Sequence, residues 1–91
     1  MWQAKIEIFL KQDILDPQGS AIGHILKNMG FGSVQNVRMG KNVVLTFDNS
    51  LSLEEVKTQT DEICRKLLAN PVIEEYRFEI VPAGQAGDAR K

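Results

Sequence analysis

The sequence predicts an α+β domain of the ferredoxin-like type, with the order β-α-β-β-α-β, one antiparallel four-stranded sheet and two helices on one face. Three observations lead to this fold class: apolar residues alternate near both ends of the chain, two segments between them have helical periods, and a Gly-Lys turn joins two β-prone runs. The 91 residues suffice for one small domain. We expect that domain over residues 1–81 and a disordered tail over residues 82–91, which are rich in Gly, Ala and charge.

The first strand and the first helix have different hydrophobic periods. In residues 2–11 every second side chain, from Trp2 to Leu10, is apolar, which predicts a strand with one buried face. A turn follows at residues 16–20, where Asp16 or Ser20 is placed to cap a helix. The helix is predicted by apolar residues at i, i+3, i+4 and i+7, which are Ile22, Ile25, Leu26 and Met29. Gly30 supplies the left-handed conformation with which helices commonly end.

The centre of the chain predicts a β-hairpin. Residues 34–39 and residues 42–48 are two β-prone runs, and Gly40 and Lys41 join them. Such a short glycine-containing connection is typical of a tight hairpin turn. Strands two and three are therefore expected to be antiparallel neighbours.

The second helix and the last strand meet at a sharp junction. Ser52 and Glu55 have the spacing of a capping box, which places the start of the helix. The helix is expected to run to about Ala69, because Pro71 cannot continue it. Period-two apolar residues then predict strand four over residues 72–81. The residues expected on the inner face of the helix are Val56, Ile63, Cys64, Leu67 and Leu68.

The predicted sheet has one face that no helix covers. Phe9, Val44 and Ile73 fall on the side opposite the main apolar set of their strands. They are candidates for a homodimer interface on that face. The alternative is a monomer in which these are isolated exposed hydrophobic residues, which are common on protein surfaces.

Composition argues against two classes of partner. The formal net charge is -1, so the basic surface of a nucleic-acid-binding protein is not expected. The order β-α-β-β-α-β is shared with RNA-recognition domains, but strand three has one aromatic residue, Phe47, and no base-stacking motif. No apolar run is long enough to span a membrane, and a single cysteine permits no internal disulfide. A cytoplasmic protein without a nucleic-acid or membrane partner is the expectation.

Chemically reactive residues are sparse. His24 and Cys64 fall on different predicted helices, and no Cys/His pair has metal-ligand spacing. We therefore predict no catalytic, cofactor-binding or metal-binding residues on this chain. The turn at residues 16–20 could present backbone N–H groups to an anion, and the hairpin tip at residues 38–41 could meet an acidic surface. A capped structural turn is the favoured interpretation of the first segment, and ordinary surface charge explains the second equally well.

Three segments of the chain resemble a known protein family. They are residues 15–21 at the first turn, residues 37–41 at the hairpin and residues 64–76 across the helix-to-strand junction. With these segments in this order and at these separations, the chain resembles PurS, the small subunit of phosphoribosylformylglycinamidine synthase in purine biosynthesis. The similarity extends over roughly residues 5–80.

The resemblance implies a subunit without an active centre of its own. It would dock a glutaminase subunit to a large ATP-dependent synthetase subunit, so that ammonia passes from one to the other, and would form a homodimer or a higher homo-oligomer. No cofactor is expected on this chain, and ATP and Mg are expected on the synthetase. The three family-like segments supply the expected partner contacts, which are Asp16, Gln18, Gly19, Arg38, Gly40, Lys41, Asn70, Pro71 and Ile73.

Two other functions remain open at this point. Small ferredoxin-like domains often bind amino acids or nucleotides between paired copies, so a small-molecule-binding regulatory module is the main alternative. An enzyme in its own right is the third possibility, and it is disfavoured because the chain has one His and one Cys.

Overall fold

The computed structural model describes residues 1–83 of the chain. It contains a three-stranded sheet, two α-helices and one π-helical turn. Residues 84–91 of the expected tail lie outside the described residues. The elements in chain order are β1 (Trp2–Leu10), α1 (Pro17–Asn28), β2 (Gly40–Phe47), α2 (Leu53–Ile63), a π-helical turn (Cys64–Leu68) and β3 (Glu74–Pro82).

The sheet is antiparallel throughout, and β1 lies between β2 and β3. Ile6 at its centre is opposite Val43 on one side and Phe78 on the other. These side chains share the face that packs against α2, as the period-two pattern predicts. The α+β class and the antiparallel sheet are thus confirmed, with three strands in place of the predicted four.

The predicted strand over residues 34–39 is absent from the structure, and so is the predicted hairpin. Gly40 and Lys41 do not form a turn, because they begin β2 and pair with Phe9 and Ile8 of β1. The end of the segment 34–39 is instead bound to the start of α1, because the Met39 N–H donates to Asp16 at 2.6 Å. This long-range hydrogen bond overrides the local β-propensity of the segment.

The helix α2 supplies the core that covers β1 and β3. Its capping box is formed as predicted: the Glu55 N–H donates to Ser52 at 3.2 Å, and the Ser52 N–H donates to the Glu55 carboxylate at 2.8 Å. The fully buried residues of the helix are Val56 and Thr60, and Cys64, the first residue of the π-helical turn, continues the interval of four. Cys64 packs on the inner face of the sheet, whose buried residues are Ala4, Ile6 and Ile8.

The end of α2 departs from the predicted helical register. The Ala69 N–H donates to the carbonyl oxygen of Cys64 at 3.0 Å, which is the i to i+5 hydrogen bond of a π-helix. This wider turn rotates the following side chains, so that Leu68 packs against the core while Leu67 is 77% exposed. The prediction that Leu67 faces inward was wrong for this reason.

The helix α1 makes little contact with the sheet, so the prediction of two helices on one face was also wrong. Its one buried residue is Gly19, and Ile25 and Met29 on its apolar stripe are 56% and 63% exposed. The ends of the helix agree with prediction. Asp16 is the N-cap, and Gly30 follows the helix with a φ of 97°.

Candidate functional site

The described residues offer no convergent catalytic or metal-binding cluster. No group of three His, Cys, Asp or Glu side chains among them could hold a metal ion. His24 lies on α1 and Cys64 begins the π-helical turn, so the structure leaves the two on separate elements. Burial raises the pKa of the Cys64 thiol, and the nearby Asp61 carboxylate raises it further. Across residues 1–83, no helix has the length and apolar character to cross a membrane.

The three family-like segments meet at one end of the sheet, which we call the loop end (residues 11–19, 38–41 and 70–74). They meet because Phe9 of β1 is paired with Gly40 at the start of β2, and Leu10 is paired with Glu74 at the start of β3. The segments are far apart in sequence but lie side by side in the fold. The structure therefore brings together the residues that the sequence predicted as partner contacts.

Asp16 is the central acceptor of the loop end. Its Oδ1 accepts the Gly19 N–H at 2.9 Å, and its Oδ2 accepts the Met39 N–H at 2.6 Å. These two hydrogen bonds, the one from Met39 above all, hold the pKa of Asp16 below its ordinary value, and the Arg38 guanidinium adds to the effect. Asp16 is 5% exposed, so its carboxylate joins the start of α1 to the start of β2 rather than facing a partner.

Arg38 ties the same two segments together from the other side. Its guanidinium donates to the backbone carbonyl oxygens of Lys11 at 2.9 Å, Ile14 at 3.2 Å and Leu10 at 3.4 Å. The forked, planar geometry of arginine suits several acceptors at once. Arg38 therefore has a structural role in the connection between β1 and α1.

Two glycines at the loop end allow backbones to approach closely. A Cβ at Gly19 would lie 2.2 Å from the carbonyl oxygen of Val37, and a Cβ at Gly40 would lie 2.9 Å from the carbonyl oxygen of Ile8. Both distances are shorter than real Cβ atoms tolerate. Close packing alone is enough to require glycine at these two positions.

The junction before β3 is closed by its own hydrogen bonds. The Glu74 carboxylate accepts the Asn70 N–H at 2.7 Å, and Asn70 Oδ1 accepts the Val72 N–H at 3.1 Å. The Lys11 N–H donates to the carbonyl oxygen of Ile73 at 2.9 Å and anchors the junction to the end of β1. Lys41 completes the contact, because its Nζ lies 3.6 Å from Glu74 Oε2.

The loop end also exposes apolar side chains that sequence reasoning missed. Leu15 is 76% exposed, Val72 is 75% exposed and Met39 is 39% exposed. A usable signal was present for Leu15, which precedes the helix cap and belongs to no buried periodic pattern. Val72 was counted with the period-two residues of strand four, and that placement was wrong because β3 begins at Glu74. Beside them is a shallow cavity of about 190 Å³, whose lining includes Gln18 and Lys41. A rigid backbone with exposed apolar residues suits contact with another protein.

A second apolar surface lies on what we call the arm (residues 17–37), which is α1 and the segment returning from it. Ile25, Met29 and Phe31 on the arm are each more than half exposed. On the sheet, α2 packs mainly on β1 and β3. The inner face of β2 is left partly exposed, and its apolar residues are Val43, Leu45 and Phe47.

The predicted dimer-interface residues have three different settings. Phe9 is partly buried on the outer face, and the Arg77 guanidinium carbon lies 5.5 Å from the centre of its ring. Val44 is on the same face and is 43% exposed. Ile73 lies in the turn before β3, so its placement on a strand was wrong, because the strand begins at Glu74. The outer face between them is charged and includes an ion pair between Glu7 and Arg77.

Comparison with known sequences gives a consistent family match. A family model described as PurS, phosphoribosylformylglycinamidine (FGAM) synthase, matches residues 3–82. The phosphoribosylformylglycinamidine synthase subunit PurS of Bacillus subtilis is 45% identical over 80 residues, which are 88% of this chain and 93% of that protein. The PurS subunit of Methanocaldococcus jannaschii is 36% identical over 80 residues, which are 88% of this chain and 95% of that protein.

Comparison with solved structures agrees with the sequence match. Bacillus subtilis PurS superposes with a TM-score of 0.80 at 44% identity, covering 90% of this chain and 100% of that one. A chain from the structure of PurLQS from Thermotoga maritima superposes with a TM-score of 0.79 at 26% identity, covering 88% of this chain and 96% of that one. The likeness thus includes both the sheet and the helices of the described chain.

Proposed function

The chain belongs to the PurS family of phosphoribosylformylglycinamidine synthase subunits, and on this basis we propose that it is the non-catalytic subunit that docks the glutaminase to the ATP-dependent synthetase. The observation that carries this proposal is the convergence of the three family-like segments on one exposed, partly apolar loop end. The Thermotoga maritima relative, whose structure is described as PurLQS, supports an assembly of several subunits.

The chemistry of ammonia transfer explains why such a bridge is useful. Glutamine would be hydrolysed on one subunit, and the ammonia would be used on another to convert formylglycinamide ribonucleotide into the formylglycinamidine product. Ammonia that escapes into water is protonated and diluted, so it loses nucleophilicity and local concentration. Docking shortens the path. ATP and Mg belong on the synthetase in this scheme, the reaction is cytoplasmic, and the present chain contributes position rather than reactivity.

The loop end is the proposed surface for the other subunits. Leu15 and Val72 are its most exposed apolar residues. Arg38 donates to the carbonyl oxygen of Ile14 beside Leu15, and the Val72 N–H donates to Asn70, so hydrogen bonds hold the backbone at both places. A rigid apolar surface loses little conformational entropy on binding. Gln18, Lys41 and Pro71 lie in the same segments and would form the polar and irregular margin of this contact.

The arm is the proposed surface for a second copy of the chain. Its exposed residues Ile25, Met29 and Phe31 need cover, and the inner face of β2 on another copy offers an apolar surface of similar character. In a homodimer, the arm of each copy would pack on the inner face of β2 of the other copy, so both surfaces would be covered in both copies. Since full burial of one such side chain contributes about 1.5–3 kcal/mol, the exchange can supply most of the stability of the dimer. Phe9 and Val44, on the outer face, are the proposed contacts of a higher homo-oligomer.

Substitution of the exposed loop-end residues tests the docking surface. We expect Leu15→Asp and Val72→Asp to weaken binding of the chain to the synthetase and glutaminase by about tenfold or more, because a charge would be buried against an apolar partner surface. As binding weakens, the rate of formylglycinamidine synthesis from glutamine should fall, while the rate of synthesis from added ammonia should persist. Leu67→Asp is the matched control, since Leu67 is 77% exposed but lies outside the loop end. Equal binding by all three variants would contradict the proposed surface.

The alternative function is a small-molecule-binding regulatory module, which a second cavity favours. A cleft of about 300 Å³ lies between α1 and the returning segment, and its lining includes His24, Lys27 and Gln35. Calorimetric titration of glutamine, nucleotides and glycinamide ribonucleotides into the isolated chain separates the two functions. Tight binding without the other subunits would favour the module, and no binding would favour the bridging role.

A further inference from the structure

The arm is joined to the sheet at two places that lie against each other. The chain leaves β1 through residues 11–16, and it returns to β2 through residues 38 and 39. Asp16 on the outgoing side accepts the Met39 N–H of the returning side at 2.6 Å. Arg38 on the returning side donates to the Lys11 carbonyl oxygen of the outgoing side at 2.9 Å. The two side chains therefore cross-link the base of the arm in both directions, and we call this pair the latch.

The latch is the main polar connection that sets the direction of the arm. Among the side-chain hydrogen bonds of residues 1–83, those of Asp16 and Arg38 are the ones that join the outgoing and returning segments. Close packing of Gly19 against Val37 adds a steric contact just above the latch. Because α1 has little packing on its own sheet, the base of the arm largely determines where the helix points.

The latch also borders the proposed docking surface. Leu15 precedes Asp16 in sequence and Met39 follows Arg38, and both Leu15 and Met39 are exposed at the loop end. A partner that covers these two side chains would restrain the backbone on both sides of the latch. Any movement of the arm would in turn move the surface to which the partner binds.

We infer that Asp16 and Arg38 are positioning residues that hold the arm in the direction needed by a second copy, and that they link homodimer formation through the arm to partner docking at the loop end. This inference rests on the proposed function for the identity of the two surfaces. Without the latch, the arm would have to be ordered during dimerisation, and the entropy lost would weaken the dimer. A docked partner is then expected to change the dimer dissociation constant, and thermodynamic linkage requires that dimerisation change docking by the same factor.

The first test is the dimer dissociation constant, measured by analytical ultracentrifugation on the full chain. Arg38→Ala is expected to raise it by about tenfold or more. Arg38→Lys should fall between wild type and Arg38→Ala, since the single ammonium nitrogen of lysine cannot take the positions of the two guanidinium nitrogens that donate to Ile14 and to Leu10 and Lys11. The matched control Arg65→Ala removes an exposed arginine bound to Asp61 within one helical turn, and it should stay within about twofold of wild type.

Folding and direction of the arm can be separated in the same samples. Amide hydrogen exchange of β1 and β3 should be protected in Arg38→Lys as in wild type, which shows that the sheet is intact. If Arg38→Ala has the same dimer dissociation constant as wild type, the latch does not position the arm for dimerisation.

The second test is linkage itself. The dimer constant of the wild-type chain should change several-fold when saturating synthetase is added, and this change should be lost in Arg38→Ala. An unchanged dimer constant, with Val72→Asp still weakening docking, would overturn the latch linkage and leave the proposed function standing. If Leu15→Asp and Val72→Asp both dock normally, the docking surface is wrong and the linkage falls with it, although the effect of Arg38→Ala on the dimer would still be measurable.

Discussion

Replacing Gly19 by Ala tests how closely the first helix packs against the segment that returns from it. The new Cβ would lie 2.2 Å from the Val37 carbonyl oxygen, so the two backbones must separate by about 0.8 Å to reach the 3.0 Å below which real Cβ contacts essentially never fall. A backbone oxygen cannot rotate away, which places the cost near the upper end of the about 1–3 kcal/mol usual for overpacking. Ala recovers up to about 1 kcal/mol of helix propensity, so we expect a net loss of about 2 kcal/mol in the free energy of unfolding.

Gly23 on the same helix provides the control. A Cβ there would lie 3.8 Å from Val37 Cγ2, which is an ordinary contact, so Gly23→Ala should raise the free energy of unfolding by about 0.5–1 kcal/mol. Urea unfolding of both variants at one protein concentration is the assay, since the proposed dimerisation would make stability depend on concentration. Equal urea midpoints for Gly19→Ala and Gly23→Ala would refute the close approach of the arm to its returning segment.

Three further predictions concern single side chains and can be measured by urea or acid unfolding. Thr60→Val should raise the free energy of unfolding by about 1 kcal/mol, because the buried Thr60 hydroxyl has no hydrogen-bond partner within residues 1–83; a lower urea midpoint would contradict this. Ser52→Ala should lower it by about 1 kcal/mol, because the helix cap to Glu55 is lost, and an unchanged midpoint would count against the cap. The Met39 N–H in particular holds the pKa of Asp16 low, so the stability this carboxylate contributes is complete above about pH 4 and is lost as the pH falls through the folded-state pKa. Asp16→Asn should therefore flatten the acid loss of stability, and a wild-type slope would be the contrary result.

Local chemistry made several parts of the fold predictable from the sequence. The Ser52 capping box, the Asp16 cap and the helix end at Gly30 each depend on residues within a few positions of one another. The junction at Pro71 follows from the missing N–H and the fixed φ of proline. The α+β class required only these signals and the period-two pattern of β1.

Long-range contacts decided the parts that were predicted wrongly. Residues 34–39 have the composition of a strand, but Arg38 and the Met39 N–H find partners at the base of α1 instead. The position of Leu67 depends on a π-helical turn, and the spacing of apolar side chains in the sequence does not predict such a turn. The apolar stripe of α1 shows that the helix needs cover, but a sequence pattern contains no information on whether the cover comes from the same copy or another.

The loop end was predicted as three separate segments and not as one surface. Antiparallel pairing of β1 with both other strands is what brings the turn, the start of β2 and the junction before β3 to the same edge. Three of the predicted partner contacts, Asp16, Gly19 and Arg38, have a structural role, because they hold the backbone of the loop end in place. The residues left to meet a partner include Leu15 and Val72, which the sequence pattern did not single out.

The central claim is that this chain couples two other proteins without reacting itself. It is tested most directly by measuring formylglycinamidine synthesis by the synthetase and glutaminase together, with and without this chain, using either glutamine or added ammonia as the nitrogen source. The bridging role predicts that omission of the chain abolishes the glutamine-dependent rate and leaves the ammonia-dependent rate largely intact. A glutamine-dependent rate that stays the same without the chain would contradict it.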